Sequence, residues 1–414
     1  STMKIHLKEI TPSVYWGGNF AGEFVNAKQF EGVAMDKIIE SPALRKNPLS
    51  YGPYYIKEVI QGEKVIFEAN PYFYKGEPKI KRIEMEILPP SQQVAAIKSG
   101  KYDLVFMAST DIFPEIEKFD NINIATRKAN YMNYIAFKLG KWDAEKNENI
   151  VNPNAKMYDI NLRKAIAYAI DNDAIGEQFF HGLASTAKSQ LSPSFPSLHN
   201  PDINGYRIDI EKAKKLLDDA GYKDVDGDGI REGKDGKPIK FTFAMMSGGE
   251  TAEPISQYYL QQWKSIGLNV ELVDGRLLDF NNFYDRVEAD DPAIDFCLAG
   301  IGFSSDPQQV SLFGKTAGFN ISRYTSDTLD AALSATVSPE AMDDQKRIEL
   351  YKNYERVFMD ELPVVPQLNK YEFLPVNKRV KMFDWTESRR GFGTEFDWSQ
   401  LELTAPEPIV DSKN

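Results

Sequence analysis

Apolar residues recur along this chain at two spacings, every second position and every third or fourth, and segments of the two kinds alternate. Residues 1–10 alternate from the first position, which predicts a strand with no cap or targeting segment ahead of it. Residues 47–54, Asn-Pro-Leu-Ser-Tyr-Gly-Pro-Tyr, concentrate turn formers before an alternating run over 55–69. An aromatic turn at 70–78 separates that run from a second strand over 80–88. A short helix over 91–99 stops at Gly100, and a strand is predicted over 103–107.

The next strand, 122–137, is too long for one ordinary sheet, so it is expected to carry the backbone from one domain into another, with a crossing near 128–134. Residues 159–171 place apolar side chains at 162, 165, 166, 169 and 170, which is helical spacing, with Asp159 or Asn161 as the cap. Helices over 210–220 and 254–266 end at Gly221 and Gly267. A strand follows the second of them over 269–273, and 295–300 reads as a buried strand. Helices over 328–335 and 342–358 precede a last strand over 364–373. Strands interleaved with helices predict an α/β architecture, and no repeat of roughly 20–50 residues marks a solenoid.

Composition narrows this picture. A chain of 414 residues, 42% hydrophobic and 27% charged, buries sizeable cores in about two or three domains. No window approaches the roughly 18 consecutive apolar residues of a membrane span. Residues 1–30 lack the basic, apolar and small-residue series of a signal peptide, so any export signal is expected upstream. The net charge of −12, with dispersed Lys and Arg, argues against a nucleic-acid partner and serves solubility. The single cysteine, Cys297, sits in an apolar run; it excludes an internal disulfide and a multi-cysteine metal site and reads as a small buried hydrophobe. His6, His181 and His199 form no metal spacing and no Gly-x-Ser-x-Gly elbow occurs, so no catalytic residue and no cofactor is expected.

Several segments, in order, resemble one family. They are 47–54 with Asn70-Pro71-Tyr72; Ile97-Lys98-Ser99-Gly100-Lys101-Tyr102-Asp103; Leu162-Arg163-Lys164-Ala165-Ile166-Ala167-Tyr168-Ala169-Ile170-Asp171; Ala220-Gly221-Tyr222; Gly267-Leu268-Asn269-Val270; and Ser305-Asp306-Pro307. Together they are similar to the large peptide-binding proteins of oligopeptide and dipeptide ABC importers, extracellular solute-binding proteins of family 5, of the Gram-positive oligopeptide type. The resemblance implies a two-lobed α/β clamshell like that of periplasmic binding proteins, with mixed sheets flanked by helices. It places residues 1–125 in the middle of lobe 1, 126–368 in lobe 2 and 369–414 in a return to lobe 1. The family's N-terminal part of lobe 1 and its inserted small domain are expected to be absent from this chain.

The implied function is capture of extracellular oligopeptides in a cleft between the lobes and delivery to the permease subunits of the importer. The implied location is the outer face of the cytoplasmic membrane, held there by an N-terminal lipid anchor on the full-length protein. Two alternatives stay open: a surface lipoprotein acting as a peptide-pheromone sensor or adhesin, and a binder of a non-peptide solute such as a nickel chelate, glutathione or a sugar.

Relatives bind peptide backbone as an added strand beside a glycine-rich segment, which here is Ala299-Gly300-Ile301-Gly302-Phe303; the glycines also suit a plain tight turn. Many relatives carry an aspartate there for the ligand ammonium. This chain departs from their pattern, and in Ser304-Ser305-Asp306-Pro307 the candidate is Asp306, which equally suits a turn cap. Asn320, Arg323 and Tyr324 follow in a matching loop, where Arg323 suits either a carboxylate terminus or a structural bridge. Tyr131, Asn133 and Tyr134 stand at the first inferred crossing, Gln367, Asn369 and Tyr371 at the second, where aromatics and amides suit a ligand or the core. The loop 224–235 carries Asp224, Asp226, Asp228 and Gly229 at calcium-loop positions, but Asp235 replaces the closing Glu. A solvated hairpin is the favoured reading over a calcium site.

Overall fold

The computed structural model describes residues 4, 6–16, 26–46, 48–304, 306–381 and 398–412, without the side chains of 126–130. The chain divides into two compact units, one of residues 19–127 with 372–414 and one of residues 1–18 with 128–371. The described residues of 1–10 form no strand, which corrects the reading of their alternation. Leu7 and Ile10 are exposed and no neighbouring strand covers them.

The first unit holds helices α1 (Pro42–Arg45), α2 (Gln93–Lys98) and α3 (Phe113–Ile116) and an antiparallel sheet of β1 (Tyr54–Ile60), β2 (Lys64–Ala69) and β3 (Arg82–Glu86). The alternating run of 55–69 folds back on itself, pairing Tyr55 with Glu68, whose carboxylate accepts the Tyr55 hydroxyl at 2.6 Å. The strand expected over 103–107 shrinks to one bridge, Leu104 to Val376, because the chain turns at Met107, whose φ is +51°.

β4 (Ile122–Phe137) runs for 16 residues, and the boundary between the units falls within it, after Arg127. The second unit continues with the hairpin β5 (Gly140–Asp143) and β6 (Glu148–Val151), α4 (Ile160–Tyr168), α5 (Asn172–Phe180), β7 (Ala184–Thr186) and α6 (Ile210–Ala220). Then come β8 (Phe241–Met245), α7 (Ala252–Ser265), β9 (Val270–Leu272), α8 (Phe280–Glu288), β10 (Phe296–Gly302), α9 (Val310–Phe313), α10 (Asp327–Ala335), α11 (Asp344–Glu361) and β11 (Val364–Asn377). The helix expected over 159–171 is α4, capped by Asp159 and ending at Tyr168, and the Asp171 carboxylate accepts the Ala174 N–H and starts a further helix, α5.

A mixed six-stranded sheet in the order β7-β11-β4-β10-β8-β9 forms the centre of this unit. β10 is antiparallel to β4 and parallel to β8, and β8 is parallel to β9. The α7 helix closes the parallel part by driving Trp263 onto the sheet, 4.9 Å from Phe243 and stacked on Tyr259 at 5.3 Å. Arg163 of α4 is buried; its guanidinium donates to the carbonyls of Leu362, Met157 and Glu361 at 2.8–3.0 Å, which ties α4 to the end of α11.

β11 returns the chain to the first unit after Tyr371. There β12 (Val380–Lys381) pairs with β13 (Glu402–Leu403), and Leu374, Val376, Val380 and Leu401 form a small core with Leu104, Ala125 and Trp398. Arg379 grips both oxygens of Asp103, at 2.5 and 2.8 Å. Gly100 has φ +66° and faces the Ile409 carbonyl, which a Cβ would approach to 2.6 Å.

Candidate ligand-binding site

Three adjacent strands of the second unit collect most of the sequence candidates. Register sets Ala299 opposite Tyr134, Gly300 opposite Asn133, Ile301 opposite Met132 and Gly302 opposite Tyr131. β11, the other neighbour of β4, adds Gln367, Asn369 and Tyr371.

Over 296–298, β10 has β4 on one side and β8 on the other. β8 ends at Met245, opposite Leu298, and the chain then bridges from Met246 to Leu278. Over 299–302, β10 keeps its β4 partner and has no strand on its other side among the described residues. That is an edge able to accept another strand, with the Gly300 backbone already engaged by a side chain of α8 and the rest of 299–302 without a strand partner there. Glycine is required at 300, since a Cβ there would lie 1.6 Å from the Tyr131 hydroxyl, which packs over this backbone. Tyr284 of α8 hydrogen-bonds to the Gly300 backbone, and burial pushes the Tyr131 phenol up to about 12, so it stays neutral.

Polar groups in this strip are left unfilled. Gln367 is 0% exposed, and among the described residues neither its Oε1 nor its Nε2 has a hydrogen-bond partner; Asn369 Oδ1 has none either. A buried amide without a partner costs about 1–3 kcal/mol, so such groups call for water or ligand. Asn133 Nδ2 makes one long bond, 3.5 Å to the Ala299 carbonyl, and Tyr134 is buried. Sequence reasoning passed over Lys370 and Phe180. The Lys370 Nζ lies 4.6 Å from the centre of the Phe180 ring and 6.0 Å from that of Tyr131. Burial lowers its ammonium to about 8. No signal in the sequence marks this pair, because Phe180 ends a helix and Lys370 sits in a distant strand.

The loop candidates are arranged differently. Arg323 is 2% exposed, and its guanidinium donates to Asp290 Oδ1 at 2.8 Å, the Gly318 carbonyl at 2.9 Å, the Glu288 carbonyl at 2.9 Å and Asn149 Oδ1 at 3.4 Å. The structure therefore uses Arg323 as a bridge, with its fork already filled. Lys138 donates to the same Asp290 oxygen at 2.6 Å, and although burial works against it, these two cations hold the Asp290 carboxyl below its usual range. Asn320 Nδ2 donates to the Phe313 and Tyr324 carbonyls, and its Oδ1 accepts from Ser322. Tyr324 is half-buried beside Arg163.

Asp306 Oδ1 accepts the Gln308 N–H at 3.1 Å, and the Ser304 hydroxyl bonds to both the N–H and the carbonyl of residue 306. This is turn-capping geometry. Phe303 follows β10 directly, and Ser305 lies outside the described residues.

The family model for bacterial extracellular solute-binding proteins, family 5 middle region, matches residues 1–320. The chain belongs to this family. Over 408 residues, this solute-binding protein is 30% identical to the oligopeptide-binding protein OppA of Lactococcus lactis subsp. lactis, covering 97% of the chain and 67% of the relative. It is 28% identical over 337 residues to the oligopeptide-binding protein AppA of Bacillus subtilis, covering 80% of the chain and 57% of that relative. It thus spans about two thirds or less of the length of these proteins. Among solved structures, lactococcal OppA complexed with an endogenous peptide in the closed conformation superimposes with a TM-score of 0.87 at 28% identity, over 96% of the chain and 73% of that structure. The α/β class expected from the resemblance is thereby established for this solute-binding protein.

The acidic loop of this solute-binding protein brings together Asp224, Asp226 and Glu232, their oxygens within 4.8 Å of one another. The set differs from the expected one. Asp228 accepts the Ile230 N–H and Asp235 the Lys237 N–H, so both serve turns. Asp224 accepts from Gly227 and Gly229, and Glu232 from Val225, which is the pattern of a self-capped hairpin. A surface depression of about 1160 Å³ lies elsewhere in the unit, lined by Tyr158, Arg163, Tyr222, Lys234 and Tyr324 among others. Of the sequence candidates, Tyr324 and Asp235 of the acidic loop border it.

Proposed function

We propose that this protein captures extracellular oligopeptides and delivers them to the membrane permease of an ABC importer. The observation that carries the reading is the open β10 edge over 299–302, where a peptide can pair as a further strand through main-chain bonds that do not depend on its sequence. Oligopeptide-binding relatives at 28–30% identity support it. The ligand-facing set is Gly300, Ile301, Gly302, Phe303, Tyr131, Asn133, Tyr134, Gln367, Asn369 and Tyr371, with Ser304 and Asp306 shaping the turn that follows.

In this reading the unit of 19–127 and 372–414 corresponds to lobe 1 and the unit of 1–18 and 128–371 to lobe 2, so residues 1–18 group with lobe 2 and not with lobe 1. The full-length protein is tethered at the outer membrane face by a lipid anchor. Among the described residues no helix is long and apolar enough to cross a membrane. The reading contains no catalytic step.

The test is mass spectrometry of peptides released on denaturing the purified full-length protein, followed by calorimetry with oligopeptides of graded length. Micromolar or tighter binding of peptides across unrelated sequences is expected. Binding of a nickel chelate, glutathione or a sugar with no peptide binding would overturn the reading, and turnover of a bound peptide would overturn its non-catalytic part.

A further inference from the structure

Among the described residues of the second unit, Lys370 is a half-buried cation held against two aromatic rings with no carboxylate paired to it. Elsewhere in this unit, charged side chains are matched where they are buried. Arg163 is saturated by carbonyls, Arg323 and Lys138 share Asp290, and Lys156 meets Asp295 at 3.0 Å. Lys370, which is half-buried, has a different environment. No carboxylate of the described residues pairs with its ammonium, which lies against the Phe180 and Tyr131 rings.

Its position is fixed from both sides. β11 pairs with β7 through Leu368 opposite Thr186, Asn369 opposite Ser185 and Lys370 opposite Ala184, and the Tyr371 N–H donates to the Leu183 carbonyl at 2.7 Å. α5 lies against β7 at Gly176, where a Cβ would come within 2.5 Å of the Ala184 carbonyl, and this close approach sets Phe180 beside Lys370. On the other side stands Tyr131, whose hydroxyl covers Gly300 on the open edge of β10. The lysine, the tyrosine and the strand edge are therefore consecutive pieces of one surface.

Aromatic faces stabilise a cation only in part, and an ammonium withdrawn from water without a counter-charge is unfavourable. A carboxylate arriving with a ligand relieves that penalty with a charge-assisted hydrogen bond. We propose that Lys370 is the carboxylate-recognition point of the bound peptide, receiving either an acidic side chain or the C-terminal carboxylate. The inference rests on the peptide reading above and adds to it a chemical preference that an edge pairing with main chain alone does not have. The lowered pKa of Lys370 agrees with a cation that has no partner before ligand arrives.

The experiment uses the full-length protein and three peptide sets: amidated alanine–leucine nonapeptides with a single glutamate stepped through every position, the matched glutamine peptides, and a glutamine peptide with a free C-terminal acid. Calorimetry compares wild type with Lys370→Met and Lys370→Arg. The wild type is expected to bind the best glutamate peptide, or the free-acid peptide, roughly tenfold or more tightly than its neutral match. Which of the two is preferred identifies the source of the carboxylate.

Lys370→Met is expected to abolish the ratio and Lys370→Arg to keep most of it. Lys370→Met is also expected to melt no lower than wild type, since it removes an unpaired charge. Equal binding of charged and neutral peptides by wild type, or an unchanged ratio in Lys370→Met, would overturn this inference and leave the peptide reading standing. Binding of no peptide by wild type would overturn both.

Discussion

Around 318–324 and along the β10–β4–β11 strip, the second unit displays the same kinds of side chain, amides, tyrosines and one basic group, yet their states differ. In the loop, Arg323 and Asn320 have their donors filled by carbonyls and by Asp290. In the strip, Gln367 and Asn369 keep unpartnered atoms, Lys370 has aromatic neighbours in place of a carboxylate, and a strand edge is open. Residue type alone does not separate a site from scaffold; unfilled bonding capacity does.

The largest effect should come from breaking the filled region. Asp290→Ala leaves Lys138 and Arg323 without their shared carboxylate and should cost about 3–5 kcal/mol in urea unfolding, as expected when one partner leaves a buried ionic cluster. A loss below about 1 kcal/mol would mean the cluster is not a structural tie. Gly300→Ala should cost about 1–3 kcal/mol by driving a Cβ into the Tyr131 phenol. Combined with Tyr131→Ala, its loss should be clearly less than additive in the melting temperature.

Gln367→Leu removes two unsatisfied buried atoms at similar volume and should leave stability within about 1 kcal/mol of wild type or raise it, while weakening peptide binding. The smallest expected effect concerns pH. Burial disfavours charged His199, but its hydrogen bond and charge interaction with Glu355 outweigh this and raise its pKa above 6.5. The stabilisation is present below pH 6.5 and lost as pH rises through the raised value. His199→Gln should flatten that part of the stability profile, a change of about 1 kcal/mol or less.

Much of the architecture was legible. The long strand at 122–137, the buried strand before Gly300, the capped helices and the final strand stand close to where periodicity puts them. β7, β8 and α5 were missed because short apolar runs carry no distinctive period and Asp171 looked like the end of one helix when it caps the next. At the site, residue types and strand positions were readable from sequence, but saturation was not. Arg323 and Lys370 are both single basic residues near aromatic ones. Only the fold shows that Asp290 comes to the first and that, among the described residues, no carboxylate pairs with the second.

Backbone hydrogen exchange, followed by mass spectrometry with and without a saturating nonapeptide, tests the strand-edge account most directly. The account predicts slower exchange over 299–302 on peptide addition, with little change over 318–324. Tight peptide binding that leaves 299–302 unprotected would contradict it.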